Sequence, residues 1–339
     1  MNRSIFSVLK PFEMRASGLE RRLLLLNSMF VVWALIGLSP QLEANEGFEW
    51  VFKSGQQAML LENGDEVLTY QIAPRSQDGG LERSNYIHPL WDLAGDIVTE
   101  DFPDDHYHHR GIFWAWHQLL SNGVSLADPW NCENIKWRAP PNKREWVHPS
   151  LGPDGASLRA VHDWAVTDLE ARSGERRVVR ETVEILIRPA ELNRRVIDFD
   201  LSLLALEDGI SIGGSADDKG YGGFSPRVRL ADDVQFVGQV GPVTPERTAV
   251  QGGAWMNVIN SFNGRTSGVV MMVHPSHPGF PLKWILRSKR SMQNPQWPGQ
   301  EPVVLSVIVP TRLRYRLVLH NGRTSLERLD SIWQDFSKR

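Results

Sequence analysis

The chain has 339 residues, 41% hydrophobic and 23% charged, a balance that supports a large packed core and excludes intrinsic disorder. A net charge of -3 argues against a nucleic-acid ligand. The single cysteine, Cys132, excludes an intrachain disulfide framework and any Cys-rich zinc or iron–sulfur site.

At the N-terminus, Arg15, Arg21 and Arg22 precede the apolar run 23–38, and Pro40 and the small Ala44 follow it. Residues 1–44 therefore read as a signal peptide or an N-terminal anchor. Sixteen residues interrupted by Asn27 and Ser28 are short for a membrane span. The expected location is periplasmic or secreted, with membrane contact only through residues 23–38 if they are retained.

Residues 45–339 read as one domain, nearly all β. Val179, Val183, Ile185 and Ile187 fall on one face of an extended segment, as do Ile197, Phe199, Leu201 and Leu203 of the next. A period of two marks half-buried strands. The run 267–274 is apolar on both faces and reads as a central strand. Tyr315, Leu317 and Leu319 then alternate with Arg314, Arg316 and His320. Asn63-Gly64, Asn122-Gly123, Ser173-Gly174, Asn263-Gly264 and Asn321-Gly322 are hairpin-type dipeptides. Proline-rich stretches at 139–153 and 295–302 read as long loops. Only 324–336 shows helical spacing, with Ser325 or Thr324 as N-cap. The expected fold is all-β: a large antiparallel β-sandwich with one C-terminal helix.

Candidate chemistry concentrates in DFPDDHYHHRGIFWAWH, residues 101–117. In an extended backbone His106 and His108 point one way and His109 the other. Two imidazoles on one face suit a metal, with an aspartate such as Asp105 in support. Without a metal they suit proton transfer near neutral pH, and Arg110 offers a planar cationic fork. A glycine-rich loop, 211–228, carries Asp217, Asp218, Lys219 and Tyr221, with Arg227 on the strand that leaves it. In HPSHPGFPLKW, His274 and His277 are stiffened by prolines, and His88 is a weaker candidate. Trp114 and Trp116 share a strand face and read as core. Trp130, Trp137 and Trp297 lie in Pro/Asn-rich loops where a sugar ring has access to an indole face.

YIHPLWDLAGDIVTEDFPDDHYHHRGIFWAW, the DDKGYGG segment followed by Phe224, Arg227 and Val228, and HPSHPGFPLKWILR together resemble the bacterial family catalogued as methane oxygenase PmoA-like. The catalogue name implies a copper-dependent oxygenase. The fold that the resemblance implies is a galactose-mutarotase-like supersandwich, with a carbohydrate ligand on a concave sheet face.

Three functions follow, in this order. The first is a carbohydrate-active acid/base enzyme of epimerase, lyase or hydrolase type, without a cofactor. In it His106, His108, His109, Arg110, Asp217 and Lys219 carry the chemistry. Asp105, Arg227, His274, His277, Trp130 and Trp297 hold the substrate. The second is a metalloenzyme of the oxygenase type that the catalogue name implies, with copper, iron or zinc on His106 and His108 plus His274, His277 or an aspartate. The third is a non-catalytic sugar-binding module.

Overall fold

Alternation of apolar and polar residues governs the architecture. In the strand Arg194–Ala205 every second residue is buried, including Ile197, Phe199, Leu201 and Leu203. The computed structural model describes residues 47–77 and 79–339, so the expected signal peptide or anchor, 1–44, lies outside the described residues. Among the described residues no helix is long and apolar enough to cross a membrane.

Ten strands form the larger antiparallel sheet. Its centre runs Glu175–Ile187, Arg194–Ala205, Thr311–Asn321, Arg265–Val273, Trp255–Phe262. A six-stranded sheet packs against it, built from Phe48–Lys53, Gln57–Glu62, Asp65–Gln71, Tyr86–Leu90, Ile112–Ala115 and Gly223–Pro226. Aromatic contacts join the two inner faces. Trp114 meets Phe199 at 6.4 Å, Phe224 meets Phe199 at 5.1 Å, and Phe224 stacks on Tyr315 at 4.6 Å. The expected β-sandwich is the fold observed.

The central strand is apolar on both faces because both faces are covered. Val269, Met271 and Val273 enter the inter-sheet core, while Val270 and Met272 pack under the C-terminal helix. That helix, Leu326–Ser337, starts at Ser325, whose side chain accepts from the Arg328 N–H. It buries Leu329, Ile332 and Phe336 on the outer face of the large sheet. Trp255 Nε1 donates to Asp330 at 2.8 Å, and Trp333 Nε1 donates to the Val273 carbonyl at 2.9 Å.

Asn63-Gly64, Asn122-Gly123 and Asn263-Gly264 close hairpins with both residues at positive φ, the geometry that matches strand twist. Ser173-Gly174 lies between the paired strands Gly155–Thr167 and Glu175–Ile187. Two expectations need correction. Asn321-Gly322 is no hairpin: it leads from the last strand into the helix, whose apolar stripe docks on that same sheet. The stretch 139–153 is only partly loop, because Val147–Gly152 pairs with the first half of Gly155–Thr167 despite Pro149. Pro149 sits on an outlying strand where a missing N–H is tolerated.

A fully buried carboxylate links the sheets. Glu181 Oε2 accepts from Trp164 Nε1 at 2.6 Å, and Oε1 accepts from Trp114 Nε1 and Asn85 Nδ2. Burial raises its pKa, and the N–H donors oppose that shift.

Candidate active site

The histidine segment is a turn rather than a strand. The His106 N–H donates to Pro103 O and the His109 N–H to His106 O, both at 2.9 Å. This turn places His106 over His109, stacked at 4.6 Å with 5° between ring planes. His108 meets both rings edge-on, at 5.6 and 4.6 Å. All three imidazoles thus gather, where an extended backbone would have split them. Gly111 is required just beyond: a Cβ there would lie 1.9 Å from the Ile87 carbonyl oxygen.

Arg110 holds this turn in place. It is completely buried, donating from Nη2 to Leu81 O at 2.6 Å and from Nη1 to Tyr107 O. Its guanidinium lies 3.5 Å from the centre of the Phe102 ring. Its fork is therefore committed to carbonyls and does not line the histidine cavity, contrary to its expected role in orienting a ligand. Arg227 is likewise buried. It donates to Glu100 at 2.7 Å, to Asp105 at 2.9 Å and to His109 Nδ1 at 3.1 Å. A guanidinium only donates, so His109 carries its proton on Nε2. Burial, then the neighbouring His108 and Arg227, pushes the His109 pKa far down. Asp105 stays below its usual range: desolvation raises it, but the Arg227 bonds outweigh that.

His106, His108, His109, Lys219 and Trp130 border one cavity of about 720 Å³. It lies on the outer face of the six-stranded sheet, where Phe113, Ala115, Trp130, Ile285 and Met292 form a separate apolar cluster. Burial and the nearby cations lower His108 to about 4, so it is neutral at pH 7. Asp217, on the exposed loop, reaches the site through Lys219 Nζ at 3.0 Å. Desolvation raises its pKa, but bonds from Ser215 and Lys219 hold it well below the usual carboxylate range.

Sequence reasoning passed over a pair whose histidine borders this cavity. His117 Nδ1 lies 2.9 Å from Asp128 Oδ2. Asp128 is itself anchored: its Oδ1 accepts from the Asn131 N–H and its Oδ2 from Asn131 Nδ2, both at 2.9 Å. A carboxylate accepts, so Nδ1 of His117 carries a proton, which in the neutral ring leaves the lone pair on Nε2. That Nε2 is buried and has no hydrogen-bond partner among the described residues. The His117 ring stacks on Trp130 at 5.2 Å, with Tyr221 edge-on at 5.1 Å. The signal in the sequence was Asp128-Pro129-Trp130-Asn131, an Asx-type turn that fixes its own carboxylate.

Other expected residues lie elsewhere. Asp105 and Arg227 border an adjacent cavity of about 840 Å³, which meets the first at Arg290. Trp130 is 1% exposed, so its faces are taken by protein. Trp297 packs on Trp116 and His277, and Trp137 is buried in the strand Lys136–Arg138. His277 is lowered to about 4 by burial, and its Nε2 lies 2.7 Å from the Tyr315 hydroxyl. His274 rests against Arg314 and Phe336, under the helix on the opposite outer face of the sandwich.

The histidines as arranged do not fit a transition metal. Lone pairs of imidazoles stacked 5° from parallel run side by side and do not converge on one point. His109 spends Nδ1 on a guanidinium, and His274 is on the other side of the molecule. Among the described residues no three His, Cys, Asp or Glu side chains are grouped to hold a metal ion.

No curated protein and no solved structure matches this chain. Residues 57–334 match a family model, and the chain belongs to that family of unknown function, DUF6807.

Proposed function

We propose that the chain is an exported carbohydrate-active enzyme that performs acid–base chemistry on a sugar or glycoside in the histidine cavity. The observation that carries this reading is the His117–Asp128 pair. An imidazole whose Nδ1–H is held by an anchored carboxylate, and whose Nε2 meets no competing donor, is set to accept a proton. His108, neutral at pH 7, and the Tyr221 hydroxyl border the same cavity and supply a second proton carrier. A volume of about 720 Å³ is within the range of small-molecule sites and accommodates sugar units. The galactose-mutarotase-like fold that the PmoA-like resemblance implies supports the sugar assignment, and the apolar run 23–38 supports export.

Protein purified as the full chain and incubated with a broad glycoside and oligosaccharide panel, read by NMR for altered products, tests this. Turnover of at least one saccharide, abolished in His117→Ala, is the expected result. Absence of both binding and turnover across the panel overturns the reading. Binding without turnover, unchanged in His117→Ala, replaces it with the sugar-binding module.

A further inference from the structure

The wall of the histidine cavity formed by residues 245–247 and 286–292 is cationic. Lys219 and Arg247 have their own counter-charges in Asp217 and Asp218. Arg287, Lys289 and Arg290 pair with no carboxylate among the described residues, and Glu246 is the one acidic residue bordering the cavity.

Arg287 is the half-buried member. Its Nη1 donates to the carbonyls of Glu246 and Leu286 and its Nη2 to that of Arg247, each at 2.8 Å. Carbonyl dipoles orient a guanidinium without cancelling its charge. Burial pulls its pKa down, and Tyr221 and Asp217 offset that only in part. Arg290, at the rim shared by the two cavities, holds φ at +48°. That left-handed backbone is uncommon for a non-glycine residue and turns the chain at the rim. Several uncompensated positive charges around one cleft raise the local concentration of anions.

From this wall we infer that the ligand is an acidic saccharide, one whose ring carries a carboxylate or sulfate group that meets Arg287, Lys289 and Arg290. The inference rests on the sugar reading above and specifies its substrate class. The exposed guanidinium of Arg290 matches the oxygens of either anion, while Arg287, whose Nη1 and Nη2 donate to carbonyls, adds its charge to the wall. Where the anion is a carboxylate, its neutralisation also acidifies the adjacent C–H, the kind of proton that a neutral imidazole removes.

Calorimetric titration of the full chain with galacturonic acid trisaccharide, a sulfated disaccharide, a neutral galactose trisaccharide and polyglutamate tests the proposal at low and high salt. Expected is binding of at least one acidic saccharide about ten-fold or more tighter than the neutral one, and tighter than polyglutamate. High salt erodes that advantage, and so does the exposed double variant Lys289→Ser/Arg290→Ser, which leaves the Arg287 bonds intact. The tighter acidic saccharide identifies the anion. Equal binding of acidic and neutral sugars overturns the inference and leaves the sugar reading standing. Equal binding of polyglutamate and the acidic sugars also overturns it, because the wall then attracts any polyanion. Binding of none of the saccharides overturns both readings.

Discussion

Arg227 donates from Nη1 to Nδ1 of His109 at 3.1 Å, so a buried cation decides which nitrogen of a cavity imidazole carries the proton. The same guanidinium reaches Glu100 and Asp105 on the other side of the turn. Replacing it as Arg227→Met strands two carboxylates that have lost their partner. Both carboxylates keep access to water, so the expected loss is about 1–3 kcal/mol, read as a lowered urea midpoint with an unchanged slope. A loss under about 1 kcal/mol would show that the turn is held by other contacts.

Glu181 presents only acceptors to three N–H donors. In Glu181→Gln one of its oxygens becomes an NH₂ group that faces an indole or amide N–H. The shape is kept and a donor is left without an acceptor. Destabilisation of about 1–3 kcal/mol is expected in chemical denaturation, whereas a neutral effect would mean that the carboxyl is already protonated in the fold.

Acid should weaken the fold in a defined window. Burial lowers His88 and His277 to about 4, His162 to about 3, and His108 to about 4. Below about pH 6.5 the unfolded chain binds protons at these positions that the folded chain refuses. Stability is therefore flat above pH 6.5 and falls as pH drops toward 4. Each fully buried histidine contributes up to about 1.4 kcal/mol per pH unit in that window. Urea midpoints measured at pH 7.5, 6 and 5 check the sign. A midpoint that rises on acidification contradicts it.

The His117–Asp128 pair makes a prediction about turnover on whichever saccharide the panel identifies. His117→Ala should lower kcat by about 10²–10⁴-fold with little change in KM. Asp128→Asn removes the acceptor that fixes the His117 tautomer and should also lower kcat and alter its pH profile. An unaltered profile in Asp128→Asn would make the carboxylate a support for the Asn131 turn alone.

Period-two burial was readable along 179–187 and 196–203 because each strand has one face in the core. The same phase places Glu181 among Val179, Val183 and Ile185, but a lone acid on an apolar face gives no sign in the sequence of the three N–H donors that meet it. The helix was legible from its apolar stripe and Ser325. The site was legible only as a neighbourhood. His106, His108 and His109 were correctly seen as a group, but the turn that stacks them depends on tertiary support from Arg110 and Gly111. His117 and Asp128 lie eleven positions apart on separate segments, and only sheet pairing brings them together. The run Arg287-Ser288-Lys289-Arg290 has the composition of any solvated charge cluster. Its meaning comes from which carboxylates fail to reach it.

Arg287 stitches residues 246 and 247 to residue 286 with three bonds to main-chain oxygens. Two stretches of chain forty positions apart thereby form one stiff piece. The entropy of ordering this side of the cleft is spent during folding and not at the moment of ligand arrival. The proposed ligand would meet this side of the cleft already ordered, so rigid-body encounter and ionic strength, rather than a slow loop closure, are expected to set how quickly it docks.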